Sequence, residues 1–203
     1  MPGVSETQGC SKIEMEAHWN YLLAIENALG ILSRYVEFSE KNFECFSVEI
    51  ARLLLTSGSE VDVVCKQLCR KLNLSSTADN IHEYRNEIKS TYPNIHDFDV
   101  LLPRYGLSLK PWGDWNMPDG VPSWWTAYNK VKHHRDSDYH RANLRNAIYS
   151  VAGLFVVTLF FYKEKAELGE LLPSPSLLRV TNKHFRGITH GSYDLGFVYN
   201  LRI

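Results

Sequence analysis

The sequence lacks the features that mark a protein stabilised by disulfides or metals. Its four cysteines form no C-x-x-C pair and show no periodic spacing. This pattern indicates neither a disulfide-stabilised fold nor a zinc ribbon. It also has no glycine-rich phosphate loop, no internal repeat and no low-complexity tract. The first residues have no basic segment followed by an apolar run, so we expect no signal peptide and a cytoplasmic protein with reduced thiols.

The composition is that of an ordinary globular protein. Of 203 residues, 44% are hydrophobic and 22% are charged, with a net charge of -1, which excludes disordered, collagen-like and supercharged classes. The charge is unevenly distributed. Residues 1–62 carry ten acids and four bases, a net of -6, whereas residues 130–203 carry six acids and eleven bases, a net of +5. The basic part could bind the acidic part, a second copy of the chain, or a polyanion.

Apolar residues spaced by three and four predict helices in the first half of the chain. One long amphipathic helix is expected over residues 14–38. A second stripe, from Phe43 to Leu54, is expected to end at the Ser57-Gly58 breaker, after which Ser59 starts a third helix. In that third helix Cys65 and Cys69 are one turn apart and are expected to face the core.

A loop and a central helix are predicted further along the chain. Residues 91–122 contain five prolines and three glycines, so we expect a loop whose Trp112 and Trp115 pack on the bundle. Residues 147–162 are sixteen uncharged residues, fewer than the roughly 20 that a membrane-spanning helix needs. We therefore expect a buried central helix and no membrane partner.

The C-terminal residues change from helical to strand-like spacing. Apolar side chains alternate from Tyr193 to Ile203, after the turn Gly191-Ser192, and a shorter strand is predicted around residues 185–189. The expected fold is all-α: an up-and-down helical bundle with a long central C-terminal helix and a small C-terminal β-hairpin or meander. The expected divisions are a tail over residues 1–13, the bundle over residues 14–165 and a β appendage over residues 174–203.

Functional side chains are densest between residues 124 and 145, WWTAYNKVKHHRDSDYHRANLR. Ser123 is expected to cap a helix that ends near Arg135, and residues 136–138 to cap the last long helix. His140 would then lie in the first turn of that helix, beside Arg135 and the free backbone N–H groups of the helix start. A guanidinium, an imidazole and a helix N-terminus together suit a phosphate group.

Such a corner could cleave RNA without a metal. A base removes the proton of the 2′-hydroxyl, the oxygen attacks the adjacent phosphorus, and fixed positive charge stabilises the transition state. One histidine cannot comfortably be both base and acid in one turnover. His133, His134 or a second copy of the chain in a homodimer could supply the other group.

The stretch from Arg135 to His140 resembles the motif of the HEPN superfamily (higher eukaryotes and prokaryotes nucleotide-binding domain). It has the spacing R-x4-H with a small polar acid after the arginine, and the resemblance covers roughly residues 14–165. It implies a dimerising helical bundle that acts as a metal-independent endoribonuclease or RNA-binding protein, in a bacterial toxin-antitoxin or phage-defence system, with an antitoxin or other protein as a further partner. It assigns catalysis to Arg135 and His140, with Asp136 in the polar position.

The neighbouring string YNKVKHHR is a second candidate element. It places Asn129, Lys132 and His133 near the corner, and with Asp136 and Arg141 these are the expected substrate-binding residues. No metal or cofactor is expected, because the histidines and aspartates of this region lack the His-x3-His spacing of a helical metal site. A second R-x4-H match, residues 179–184, lies in the strand-like tail.

Two other interpretations remain open at this point. The polar residues of the corner could only cap helices and form ion pairs with an acid such as Glu49 or Glu60. Alternatively, the chain could be a non-catalytic interaction protein that uses the Trp-rich loop and adds its terminal strand to the sheet of a partner.

Overall fold

The computed structural model describes residues 15–190 and 194–203 and is mostly helical. The predicted tail and the turn Gly191-Ser192, with Tyr193, lie outside the described residues. The helices are α1 (Ala17–Leu32), α2 (Val48–Leu72), α3 (Ile81–Thr91), α4 (Ser123–Asp138), α5 (Leu144–Phe161) and α6 (Lys163–Leu168). The strands are β1 (Val100–Leu102), β2 (Leu107–Leu109), β3 (Arg179–Val180), β4 (Phe185–His190) and β5 (Leu195–Tyr199).

Helix α5 is the centre of the molecule. It is long and apolar enough to cross a membrane, but 78% of it is buried inside the protein. Helix α2 packs along it most extensively, and α1 and α4 pack on both. Because α5 is apolar on nearly all faces, only a central position removes all of its surface from water. The predicted central core helix is confirmed.

The predicted helix break at Ser57-Gly58 is wrong, since α2 runs through both residues. The Ser57 hydroxyl is buried and donates to the carbonyl oxygen of Leu53 at 2.7 Å. Its oxygen lies 2.7 Å from the Ser150 hydroxyl of α5, which therefore donates to it. Gly58 makes room for a ring of α4, because a Cβ there would lie 2.5 Å from Cδ2 of Tyr128. The two residues thus serve helix packing.

The thiols of α2 face the core, as the sequence predicts. Cys65 and Cys69 are both buried. Burial raises the pKa of Cys69 to about 12 and that of Cys65 well above its usual value. Both side chains therefore pack as neutral, small hydrophobic groups.

The predicted loop over residues 91–122 contains two short strands, so the all-α prediction holds only in part. Strand β1 pairs antiparallel with β2, and its other edge pairs antiparallel with β3. The turn between β1 and β2 ends at Gly106 in the left-handed conformation (φ 64°). These strands have two or three residues each, too few for alternation to be visible in the sequence.

The tryptophans of the same stretch pack in the core, as predicted. Trp112 and Trp115 are fully buried with ring centroids 4.2 Å apart. The indole N–H of Trp112 donates to the carbonyl oxygen of Gly153 in α5 at 3.2 Å. Trp124 of α4 donates to the carbonyl of Pro111 at 2.7 Å. These bonds fix the long connection and α4 against α5.

The predicted C-terminal hairpin is present as the antiparallel pair β4 and β5. The Ser174 hydroxyl bonds to two residues of β5. It donates to the Leu195 carbonyl at 2.7 Å and accepts from the Phe197 N–H at 3.1 Å. Tyr199 and Leu201 are buried against the helices. The hairpin is therefore packed on the bundle, as a lone hairpin would be marginal in water.

We expect Gly58→Ala to destabilise the protein, because the new Cβ collides with the Tyr128 ring. The loss should be about 1–3 kcal/mol in the free energy of unfolding, despite the higher helix propensity of alanine. Gly30→Ala in α1 is the matched control, since its Cβ would lie 3.4 Å from the Leu177 side chain. That variant should be neutral or more stable by up to about 1 kcal/mol. Urea denaturation measures both, and equal effects would contradict the packing argument.

A buried histidine, His184, makes the stability of the protein depend on pH below neutrality. His184 is fully buried, its ring stacks on Phe98 at 4.2 Å, and its Nδ1 lies 3.1 Å from the Asn200 carbonyl. Burial lowers the pKa of His184, and the Asn200 carbonyl offsets part of this effect. The unfolded chain therefore binds the proton first, so His184 contributes stability above pH of about 6.5 that is lost as the pH falls.

We expect the free energy of unfolding to fall less between pH 7.5 and pH 5 in His184→Gln than in the wild type. Gln can still donate to the Asn200 carbonyl but does not titrate. The exposed His82 is the matched control, and His82→Gln should keep the pH dependence of the wild type. Identical pH profiles for the wild type and His184→Gln would refute the assignment.

Candidate functional site

The corner between α4 and α5 is built from a bent helix rather than a straight one. α4 is non-helical at His134 (φ -138°, ψ 45°), so residues 135–138 form a separate turn, and a 3-10 turn follows over residues 139–141. The Ser137 hydroxyl donates to the His134 carbonyl at 3.3 Å. No residue of 132–138 is buried, so no packing keeps this polar stretch in a regular helix.

The predicted cap of α5 at residues 136–138 is wrong. Asn143 is the N-cap, and its side-chain oxygen accepts from the N–H of Asn146 at 3.0 Å. His140 therefore lies in the 3-10 turn before α5 and not in its first helical turn. The sequence analysis missed Asn143, although an Asn directly before the longest apolar stretch is a recognisable N-cap signal.

The backbone N–H groups at the start of α5 are occupied by protein acceptors. The N–H of Leu144 donates to the Cys45 carbonyl at 2.8 Å, and that of Arg145 donates to the Phe43 carbonyl at 3.1 Å. The Asn143 amide also donates to Glu44 at 2.9 Å. The expected anion site at this helix start is therefore absent, and any anion at the corner must be held by side chains.

The start of α4 also differs from the prediction. Ser123 makes no side-chain cap. Instead, its backbone N–H donates to the carboxylate of Asp114 at 3.0 Å. A carboxylate from the preceding connection thus performs the capping that was expected of the serine hydroxyl.

Arg135 and Asp136 line an open groove of about 700 Å³ between the corner and the first turns of α2. Apolar side chains dominate its lining, and Arg52 pairs with Glu49 at 2.8 Å within α2. His140 is not among the lining residues. The groove is lined by Val48, Ala51, Arg52, Leu55, Thr56, Arg135, Asp136 and Tyr139.

The two predicted catalytic side chains are exposed. Within the described part of the chain, neither Arg135 nor His140 makes a side-chain hydrogen bond or ion pair, and the same holds for His133. The carboxylates considered as structural partners are occupied elsewhere: Glu49 pairs with Arg52, and Glu60 with His18 at 2.6 Å. Ion pairing with these acids does not explain the corner.

The predicted substrate-binding residues have different surroundings. The Asn129 amide donates within α4, to the Trp125 carbonyl at 3.3 Å. The Lys132 ammonium lies 5.4 Å from the centroid of the buried Tyr128 ring. Arg141 forms an ion pair with Asp138, and this hydrogen bond lowers the pKa of the Asp138 carboxyl. Arg141 is thus partly neutralised, whereas Lys132 keeps an exposed charge.

Other sequence candidates prove unsuitable as sites. The second R-x4-H match places its histidine, His184, in the core. Trp112 and Trp115 are buried, so the Trp-rich loop offers neither ring to a partner. Among residues 15–190 and 194–203, no three His, Cys, Asp or Glu side chains are grouped to hold a metal ion.

No protein-family model, no curated protein and no solved structure matches this chain. The resemblance to the HEPN superfamily therefore rests on the sequence pattern alone.

We expect Asn143→Ala to loosen the corner. It removes the α5 cap and the bond to Glu44, and caps of this kind contribute about 1 kcal/mol. The free energy of unfolding should fall by about 1–2 kcal/mol, and amide hydrogen exchange should rise first at Asn146, whose N–H loses its acceptor. Asn86→Ala on the exposed face of α3 is the control. Unchanged exchange in Asn143→Ala would show that the cap does not hold the corner.

Proposed function

We propose that the corner of residues 129–141 binds RNA and cleaves it as a metal-independent endoribonuclease of the HEPN type. One observation carries the proposal: Arg135 and His140 are solvent-facing, lie five positions apart on two consecutive turns before α5, and have no acidic partner in the described chain. Lys130 and Lys132 add positive charge nearby. A cationic corner open to water attracts a phosphate backbone.

The chemistry divides between these side chains. The planar guanidinium of Arg135 binds two phosphate oxygens and stabilises the charge of the transition state. The imidazole of His140 takes the proton from the 2′-hydroxyl or gives one to the leaving oxygen. His133 or His134, or His140 of a second copy in a homodimer, supplies the opposite transfer.

The groove beside Arg135 provides a place for a base. Its apolar lining includes the ring of Tyr139, and aromatic rings stack on bases without regard to sequence. Phe46 lies against Tyr139 with ring centroids 5.5 Å apart and is 48% exposed. The proposal therefore places the scissile phosphate at Arg135 and the adjacent base over Tyr139.

The cellular setting is part of the same proposal and derives from the family resemblance. We propose a cytoplasmic homodimer in a bacterial toxin-antitoxin or phage-defence system, with an antitoxin as the protein partner. No cofactor or membrane enters this proposal.

The decisive assay is cleavage of single-stranded and structured RNA by purified protein in excess chelator. Arg135→Ala should lower the rate by about 10²–10³-fold and His140→Ala by about 10²–10⁴-fold. Arg70→Ala and His82→Ala, which remove exposed residues of the same types on α2 and α3, should leave the rate unchanged. A folded protein that cleaves no RNA, or variants that cleave as fast as the wild type, would rule out the ribonuclease.

RNA affinity is a separate measurement. Binding should weaken as salt rises, because each phosphate contact releases counterions. Arg135→Ala and Lys132→Ala should reduce affinity, whereas Arg70→Ala should not. Binding that depends on Arg135 without cleavage would support an RNA-binding protein.

A further inference from the structure

A second groove lies at the C-terminal end of α1, away from the corner. It is open, has a volume of about 610 Å³ and is formed by three separate parts of the chain. These are the last turn of α1, the turn after β1, and the segment that leads into β3. Three of its lining side chains are arginines. The groove is lined by Asn27, Gly30, Ile31, Arg34, Pro103, Arg104, Ser176, Leu177 and Arg179.

The lining contains three guanidinium groups and no carboxylate. Arg34, Arg104 and Arg179 form no ion pair with an acid in the described chain. Three like charges around one groove repel each other. A bound anion would relieve that repulsion.

One carboxylate, that of Glu26, lies behind the residues that line the groove. Its oxygens already accept hydrogen bonds from the protein. Glu26 is 2% exposed. It accepts the N–H groups of Ser176, Leu177 and Leu178 at 2.8–2.9 Å, and the Ser176 hydroxyl at 3.3 Å. Glu26 therefore shapes the segment that carries Leu177 and does not pair with the arginines in front of it.

Arg179 is held in position before any ligand binds. Its Nη1 donates to the carbonyls of Pro175 and Leu178, and its guanidinium lies 4.9 Å from the centroid of the Phe197 ring. Within the described residues its Nη2 and Nε make no hydrogen bond. A fixed guanidinium with unused N–H groups loses little entropy when it binds an oxyanion.

Arg34 and Arg104 approach from the other two parts of the chain. Both side chains are exposed, and neither makes a side-chain hydrogen bond to a described residue. Arg104 lies over the ring of Tyr105 at 5.4 Å. One oriented arginine and two adaptable ones can surround a ligand with several oxyanion groups.

We propose that this groove binds the phosphate groups of a ligand that carries at least two of them. The volume is that of a small-ligand site, and three arginines without a carboxylate in the lining favour an anion. The proposal does not depend on RNA cleavage, because none of its residues belongs to the corner of residues 129–141.

Two sources could supply these phosphates: a small polyphosphate compound, or consecutive phosphates of an RNA strand. For an RNA strand, the relevant feature is a third depression that lies between the two grooves and shares a lining residue with each. Ile31 lines both the second groove and this third depression. Arg52 lines both the third depression and the groove of Arg135.

The test compares two double variants by calorimetry at low salt, with inorganic triphosphate as the first probe. Arg34→Gln/Arg104→Gln should weaken binding at least about 10-fold, as expected for lost bonds to a charged group. The matched control Arg70→Gln/Arg186→Gln removes the same charge from exposed positions on α2 and β4 and should bind as the wild type does. Thermal melting confirms that all are folded.

The second probe is a single-stranded oligouridylate, bound to the wild type, to Arg34→Gln/Arg104→Gln, to its matched control, and to Arg135→Ala/His140→Ala. Triphosphate binding that depends on Arg34 and Arg104 supports the site with a small ligand. If oligouridylate binding depends on Arg34 and Arg104 but triphosphate binding does not, the site exists and its phosphates come from RNA. If neither probe binds the wild type, or the two double variants bind equally, the site does not exist. Failure of cleavage at the corner leaves these readouts unchanged, so the two proposals fail separately.

Discussion

The close packing of α2 on α5 determines where α4, and the corner that follows it, lie. Small residues make it possible: Ser57 and Ser150 meet through their hydroxyl groups at 2.7 Å in the middle of the interface. A hydroxyl pair is tolerated in this apolar surrounding because both groups are hydrogen-bonded. At the next residue of α2, the absent side chain of Gly58 lets the Tyr128 ring of α4 rest on the same helix. The position of α4, and with it the corner, follows from these contacts.

The position of the corner also depends on a short segment before α2. Residues 43–45 supply carbonyl oxygens to the first N–H groups of α5, and Glu44 accepts from the Asn143 amide. This arrangement completes the hydrogen bonding of a helix end that is buried at Leu144. It also removes the helix dipole as an anion-binding device. Any anion at the corner must therefore be held by exposed side chains.

Much of the fold could be predicted from spacing, because burial on one face of a helix leaves a long pattern. The central helix α5, the hairpin of β4 and β5 and the buried tryptophans were predicted correctly. The errors have local causes. Ser57 and Gly58 resemble a break in isolation, but their role depends on Ser150 and Tyr128, which are 93 and 70 residues away. β1 and β2 are too short for any periodicity, and β1 pairs with β3 across almost 80 residues.

For the candidate site, the sequence identified residue types but not their partners. Arg135 and His140 are both exposed, whereas Arg141 is paired with Asp138, which charge alone did not identify. The groove with three arginines was not predicted, since Arg34, Arg104 and Arg179 are far apart in the chain and share no motif.

The acidic residues of the N-terminal part do not neutralise Arg135 or the arginines of the second groove. Several acids of the N-terminal part bind within the protein: Glu16 pairs with Lys165 at 2.6 Å, Glu60 contacts His18, and Glu26 accepts backbone N–H groups. Carboxylates that are satisfied internally cannot neutralise arginines elsewhere on the surface. Arg135 and the arginines of the second groove therefore keep their charge toward water. A nearly neutral protein can in this way present two cationic surfaces, and attraction of polyanions depends on that local potential rather than on the net charge.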